Sequence, residues 1–484
     1  MEWYWILLLL LGSILVLMFI GVPVGIAFVI VCTFTAYLIY GRFGGFDANL
    51  EASVFQLADN AFSNIAIFAI VPIPMFLLMG ELFFHTGLAN RMFNAVEMLM
   101  GRVPARLSYV TVAGGTALAT LSGSSMGSTA LLGTLMVPEM TKRGYKKSMS
   151  IGPILGTGGL AMLIPPSALA VLLGTIAEID IGKLLIAGIV PGIILALMYA
   201  VLIFVRATID PDAAPAYDVE YVPYMVRLKM FARDVMPMIS IIGMVIALIM
   251  GGIATPSEAA AYGSVGVILL GLIYLFFAPL VRLLFSGGRD IEAVARRDEA
   301  KEQLKRFAPA FGKALWKSMW GAGRVTVIAL VILLGSSLFS NVLAASGASV
   351  KLIEWVTSFD VSGYVMLLMM IGILLLLGMF MDQLAMMLLT VPIFFPVIAK
   401  LQFGLPLEVT QIWFGVIMLL AMEISFTTPP FGLLLFVMQG VAPPGTKFSE
   451  ICLAAIPFMA CAMALVALII MVPEVATWLP WAKF

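Results

Sequence analysis

Long apolar stretches alternate along the chain with short polar intervals. A membrane-spanning helix needs about 20 apolar residues, because the hydrocarbon core is ~30 Å thick and a helix rises ~1.5 Å per residue. Runs of that order occupy 3–40 (divided near Gly21-Val22-Pro23), 61–84, 107–140, 150–174, 184–205, 235–253, 257–281, 321–345, 361–399, 409–440 and 448–472. The pattern predicts an all-α polytopic membrane protein. The first run is expected to be a retained span, not a cleavable signal. Glu2 stands where a basic n-region belongs, and the apolar run outlasts a signal's length.

The polar intervals set orientation. Lys142-Arg143-Gly144-Tyr145-Lys146-Lys147 is the densest basic cluster; Arg91, Arg102 and Arg106 form another, and Arg206, Arg227, Lys229 and Arg233 a third. The interval between Arg282 and Arg324 is the largest polar insert and is also rich in basic residues. Positive loops stay inside, so these are expected in the cytoplasm. Intervals 41–60, 175–183, 346–360 and 400–408 are poor in Lys and Arg and fit the outside. Residues 286–312 read as a cytoplasmic helix with a solvated charged face.

Two runs do not fit a single crossing. Run 107–140 lies between Arg106 and Lys142, both on the inside, and its middle is Ser122-Gly123-Ser124-Ser125-Met126-Gly127-Ser128. A re-entrant helical hairpin with a polar tip accounts for this, since irregular backbone at depth is tolerated only against protein or a hydrated cavity. Run 361–399 repeats the arrangement from the other face, with Asp382-Gln383 at its tip. After each hairpin comes a run broken by a double proline, at Pro165-Pro166 and at Pro429-Pro430. Proline removes a donor and strains the preceding turn, so each is expected to be two half-helices. These parts recur at a spacing of about 260 residues, and Leu78–Gly87 aligns without gaps with Leu338–Gly347. With the flanking charges reversed, the order implies two inverted-topology repeats, an architecture of secondary transporters.

Composition narrows the chemistry. Of 484 residues 62% are hydrophobic and 11% charged, and 27 basic balance 27 acidic residues. So apolar a chain could not bury its surface as a soluble globule. With no net positive charge, nucleic acid is not an expected partner. Cys32, Cys452 and Cys461 lie in apolar runs without ligand spacing, and His85 is the single histidine, which leaves no basis for a disulfide framework or a zinc site. Gly123-Ser124-Ser125-Met126-Gly127 matches the G-x-S-x-G nucleophile elbow, but a membrane helix precedes it in place of a strand and no histidine base is at hand. No nucleotide-binding motif sits in a plausible context, so neither an enzyme nor an ATP-driven pump is expected, and no cofactor.

Half-helix N-termini at the tips and breaks suit an anionic substrate such as a carboxylate. Unwound carbonyls and hydroxyls suit a hard monovalent cation, sodium rather than a divalent ion. Asp382 is a costly charge at depth and points to site duty or to capping of the tip. Glu423 stays open between a ligand and a hydrogen-bonded brace. Glu81 and His85 lie near a span end and read as interfacial packing. The 33 methionines are mostly apolar filler.

Five segments carry a family resemblance: Ser122-Gly123-Ser124, Ile164-Pro165-Pro166-Ser167, Thr255-Pro256-Ser257-Glu258-Ala259-Ala260-Ala261, Gly378-Met379-Phe380-Met381-Asp382, and Glu423 through Gly432 with the following Leu433-Leu434-Leu435-Phe436-Val437. In this order the chain resembles the large membrane subunit of tripartite ATP-independent periplasmic (TRAP) transporters, the DctM-like permeases, over nearly its whole length except 286–312. The resemblance implies an elevator-type transporter importing an organic acid with sodium across a bacterial or archaeal cytoplasmic membrane. It implies one sodium site at Ser122, Gly123, Ser124, Gly159 and Pro165, and a second at Asp382, Gln383, Ser425 and Thr428. Substrate is expected at Ser124, Ser125, Gly127, Pro166, Ser167, Asp382, Thr427 and Pro430. Implied partners are a small four-helix membrane subunit, no fused copy of which is expected here, and a soluble periplasmic binding protein. On this basis residues 1–105 are expected to form scaffold and connecting arm, and 106–206 the first half of the transport domain. Residues 207–345 then return to the scaffold, with the insert at 286–312, and 346–484 complete the transport domain. A stand-alone sodium–dicarboxylate symporter and an ion channel are the competing readings; opposed hairpins argue against the channel.

Overall fold

The computed structural model describes residues 3–40, 55, 58, 70–101, 103–122, 125–215, 222–285, 291–358, 361–379, 381–429 and 432–482. Among these residues the secondary structure is helical, with no strand. In chain order come α1 (Trp3–Phe19), α2 (Val24–Tyr40), α3 (Pro72–His85), α4 (Leu88–Met100), α5 (Arg106–Ser122), α6 (Ser125–Lys142), α7 (Lys147–Leu163) and α8 (Ala168–Ile176). Next are α9 (Ile181–Ala187), α10 (Ile189–Ile209), α11 (Tyr224–Asp234), α12 (Met236–Met250), α13 (Pro256–Leu272), α14 (Ala278–Phe285) and α15 (Ile291–Ala345). The rest is α16 (Ala348–Ser358), α17 (Gly363–Leu377), α18 (Gln383–Ile398), α19 (Leu407–Phe426), α20 (Leu433–Val441), α21 (Phe448–Met471) and α22 (Glu474–Thr477).

The breaks fall where the sequence places them. Run 3–40 divides before Pro23, run 107–140 between Ser122 and Ser125, and run 361–399 between Leu377 and Gln383. Helices α7 and α8 meet at 47° across the proline pair. Five helical stretches among the described residues are long and apolar enough to cross a bilayer, or eight if each of three bent pairs counts as one span. Helix α3 bends by 68° into the amphipathic α4, and α15 is followed after a short turn by the amphipathic α16. The turn residues are Gly87 and Gly347, with φ of 77° and 67°, a left-handed conformation that side-chain-bearing residues rarely adopt. These are the two glycines that the gapless match of Leu78–Gly87 with Leu338–Gly347 superposes.

Two differences from the sequence reading stand out. Helices α4 and α11 occupy intervals whose charges suggest loops, and α16 lies within 346–360, expected only as a charge-poor outside interval. In α4, Leu88, Ala89, Met92, Phe93 and Val96 are buried at helical spacing, while the opposite face carries the charges. The polar insert, in turn, is no separate helix: from Ile291 it runs unbroken into the following span as the 55-residue α15, with Pro309 inside it. Strong helix formers (Ala, Lys, Glu, Gln, Leu) bridge the polar-to-apolar junction, so nothing stops the helix there. Residues 286–290 lie outside the described residues.

Burial separates the interior from the periphery. In α7 every residue from Met149 to Leu163 is buried, and in α19 every residue from Ile412 to Phe426. A helix enclosed all round belongs to the centre of a bundle. Around this pair pack α5, α6, α10, α18, α20 and α21. On the other side α3 is flanked by α13 and α15, and α15 also packs on α2. The two groups touch where α3 meets α5 and where α15 meets α18. Helix α4 links them through charges. Glu97 pairs with buried Arg106 and, at 3.2 Å, with Arg143, which also holds Glu139 at 2.7 Å; on the other side Arg91 approaches Asp234 at 4.0 Å.

Candidate functional site

The larger cavity, about 340 Å³, opens where those two helix groups face each other. One wall is a single face of α3 (Ile73, Leu77, Gly80, Glu81, Phe84), joined by Val325 and Ala329 of α15. The opposite wall is made mainly of helix beginnings, namely Met126–Ser128 of α6, Ala168 and Leu169 of α8, and Asp382–Leu384 at the start of α18, joined by Leu118 of α5. Three helix N-termini therefore converge on one space. Each brings partial positive charge and backbone N–H groups free of intrahelical partners. Among the described lining residues the formal charges are two carboxylates, Glu81 and Asp382, with no lysine, arginine or histidine.

Local sequence explains the wall. Asp382 is the N-cap of α18, its Oδ1 accepting the Ala385 N–H at 2.7 Å. Ser167 is the N-cap of α8, its hydroxyl accepting the Ala170 N–H at 3.3 Å. Between α7 and α8 the Pro165–Pro166 bond is cis, and both prolines are buried. Each helix thus starts abruptly against the cavity.

Behind this wall lies Glu423 of α19, 4% exposed. Its Oε2 accepts the Gln383 amide N–H at 2.7 Å and lies 3.1 Å from the Ser125 hydroxyl, which is also 3.4 Å from the Gly158 carbonyl. Oε1 has no hydrogen-bond partner among the described residues. It lies over Gly158, where a Cβ would collide with it, so this position must be glycine for the carboxylate to fit. A similar close approach recurs at Gly378, whose Cβ would strike the Ser425 side chain. A second, small cavity of about 20 Å³ adjoins Glu423 on the far side, lined by Gly156, Gly159, Tyr199, Thr427 and Phe458 among others.

Of the residues singled out from sequence, Gly127, Asp382 and Gln383 line the larger cavity. Ser125 points to Glu423, and Ser167 is used as a cap. Thr427 is buried, its hydroxyl bonded to the Ile424 carbonyl at 3.0 Å, and it lines the small cavity. Ser425 donates to the Met422 carbonyl at 2.7 Å, and Thr428 to the Ile424 carbonyl at 2.6 Å. Gly159 lies in α7 beside Glu423 Cγ and Leu195. Ser122 ends α5, and Pro165 and Pro166 stand at the α7–α8 break. Gly123, Ser124 and Pro430 lie outside the described residues. Glu81 departs from its expected interfacial role: it lines the cavity, with His85 Nε2 3.3 Å from Oε2 and Gly321 of α15 packed on its carboxyl. The available signal was the spacing Leu77, Gly80, Glu81, Phe84, one helical face carrying a glycine and an acid among large apolar residues.

Buried broken helices around a central cavity, in a chain with several bilayer-length apolar helices, define a polytopic membrane transporter. The fold agrees. The crystal structure of the Alcanivorax borkumensis YdaH transporter superposes with a TM-score of 0.58 at 13% identity, covering 94% of this chain and 99% of that one. The chain belongs to the family of the DctM component of the tripartite ATP-independent periplasmic transporter, whose model matches residues 11–475. It is 28% identical to the C4-dicarboxylate TRAP transporter large permease protein DctM of Vibrio cholerae over 96% of this chain and 95% of that one. To the DctM protein of Pseudomonas aeruginosa it is 29% identical, over 88% and 90% respectively.

Proposed function

We propose that this chain is the permease of a sodium-coupled importer of a small organic acid in the cytoplasmic membrane. The observation that carries the reading is the charge inventory of the larger cavity. Three helix N-termini favour a carboxylate, yet the formal charges of the described lining are Glu81 and Asp382. An anion entering alone would meet like charge in a low-dielectric space, which is costly. A monovalent cation entering with it cancels that cost, and this is symport expressed as electrostatics. A volume of about 340 Å³ suits a small organic acid.

In this reading one sodium ion is held at Ser122, Gly123, Ser124, Gly159 and Pro165, and a second at Asp382, Gln383, Ser425 and Thr428. Substrate lies between the tips, with Gly127 and Asp382 nearest to it. The two tips belong to re-entrant hairpins of inverted repeats, and the matched left-handed turns at Gly87 and Gly347 support that symmetry. Residues 106–206 and 346–484 move as an elevator against a scaffold of 1–105 and 207–345. The separation of helices into two packed groups with the cavity between them supports this division. A four-helix small subunit widens the scaffold, and a periplasmic binding protein delivers the substrate. The names of the two DctM relatives make a C4-dicarboxylate the first substrate to test.

Uptake of labelled succinate and other small carboxylates into proteoliposomes, with and without an inward sodium gradient and the binding protein, tests the reading. Sodium-dependent, saturable uptake is expected, and Asp382→Asn is expected to raise the sodium concentration for half-maximal rate. Uptake indifferent to sodium, or single-channel current in its place, would refute it.

A further inference from the structure

The two tips are far apart in sequence, yet one atom serves both. Ser125 opens α6 at the first tip and Gln383 opens α18 at the second; both address Glu423 Oε2, at 3.1 and 2.7 Å. The acceptor is 4% exposed, and its other oxygen has no partner among the described residues. The cavity is lined by Met126–Ser128, next to Ser125, and by Asp382–Leu384, with Gln383 itself among them. Glu423 is therefore joined to the cavity wall from behind at two points.

We infer that Glu423 is a positioning residue that couples the two tips, so that seating one tip for its cation favours seating of the other. The inference rests on the sodium-symport reading above. Its physical basis is that one buried acceptor, shared by two donors, has to be oriented only once. While both donors are in place, the charge on Oε2 is compensated by two hydrogen bonds. With one tip seated, its hydrogen bond holds the Glu423 carboxylate in the orientation that the other donor needs, so the second tip meets a pre-placed acceptor and seats more readily. Two sites that bias one shared arrangement are reciprocally coupled, and binding at both becomes cooperative. Gly158 contributes by leaving room for the carboxylate to reach between the tips.

Sodium alone serves as the probe. The purified full-length chain in detergent is titrated with radioactive NaCl, KCl keeping ionic strength constant; Tm is recorded, and bound sodium is counted by scintillation proximity. For the native protein a sigmoidal rise with a Hill coefficient approaching about 2 is expected, the limit for two coupled sites. In Glu423→Ala the coefficient should fall to about 1 and half-saturating sodium rise roughly 5- to 30-fold. Glu423→Gln keeps a carbonyl acceptor in the same place and should restore most of the cooperativity; Glu423→Asp, one methylene shorter, should not. A role in stability alone would lower Tm without sodium and leave the Hill coefficient of Glu423→Ala at its native value, and that result overturns the inference. If Glu423→Ala does not fold, Ser125→Ala and Gln383→Ala replace it. Each should lower the coefficient, and the double variant should add little; an unchanged coefficient in both overturns the coupling. A native protein whose Tm responds equally to sodium and potassium removes the symport reading itself. A steep native response that survives every variant removes only the coupling.

Discussion

The two tips solve one problem in different ways. Both begin a helix against the same cavity, and both must satisfy backbone N–H groups there. The second tip does so with its own acid: Asp382 caps α18 through the Ala385 N–H at 2.7 Å. At the first tip Ser125 opens α6, and the acid it meets is Glu423, 298 residues away on α19. Both tips thus lean on the rest of the fold through Glu423, and the second is in addition capped locally. Close packing differs too. At Gly378 the neighbour is the short Ser425 side chain, Cβ included; at Gly158 it is the end of a longer glutamate.

The largest effect expected from this contrast is at Gly378. Gly378→Ala forces a carbon onto Ser425 Cβ, which cannot swing away without moving α19, and a loss of about 3 kcal/mol is expected. Gly158→Ala meets the movable end of Glu423 and should cost less, about 2 kcal/mol. Tm of the two variants without sodium ranks them; the reverse order would erase the distinction between the tips. Next comes the local cap. Asp382→Ala should lower stability by about 1 kcal/mol, whereas Asp382→Asn, itself a good cap, should stay near the native Tm while losing sodium response. Equal destabilisation by both would mean that the charge, not the cap, holds the second tip. The smallest effect is at Ser167, whose longer bond of 3.3 Å to Ala170 predicts a loss of about 0.5 kcal/mol in Ser167→Ala, visible as a small Tm shift with sodium response intact. A large loss of sodium response there would extend the site to the α7–α8 break.

Much of this architecture can be read from residue order because membrane spans are set by length and polarity, both one-dimensional properties. The tips announce themselves as polar residues within apolar runs, and Asp382 stands out because residues 361–381 carry no charge. The amphipathic helices α4 and α11 were obscured by their own basic residues, whose charge suggests loop before their periodicity suggests helix, and α16 by its shortness between two long apolar runs. The contacts of Glu423 are a different case. Sequence narrows its role to ligand or brace, but its donors lie 298 and 40 residues away, and no local pattern selects them. Glu81 shows the same limit. Whether an acid near the end of a span faces lipid, water or a cavity depends on which helices stand opposite, here α15 and the two tips.

The uninterrupted α15 has a mechanical consequence. At ~1.5 Å per residue its 55 residues extend about 80 Å, more than twice the thickness of the hydrocarbon layer. Its polar beginning and the stretch bearing Val325 and Ala329 are parts of one continuous helix, with Pro309 between them and α2 packed against it. The charged end and the cavity wall are therefore joined through hydrogen-bonded helix and not through a loop.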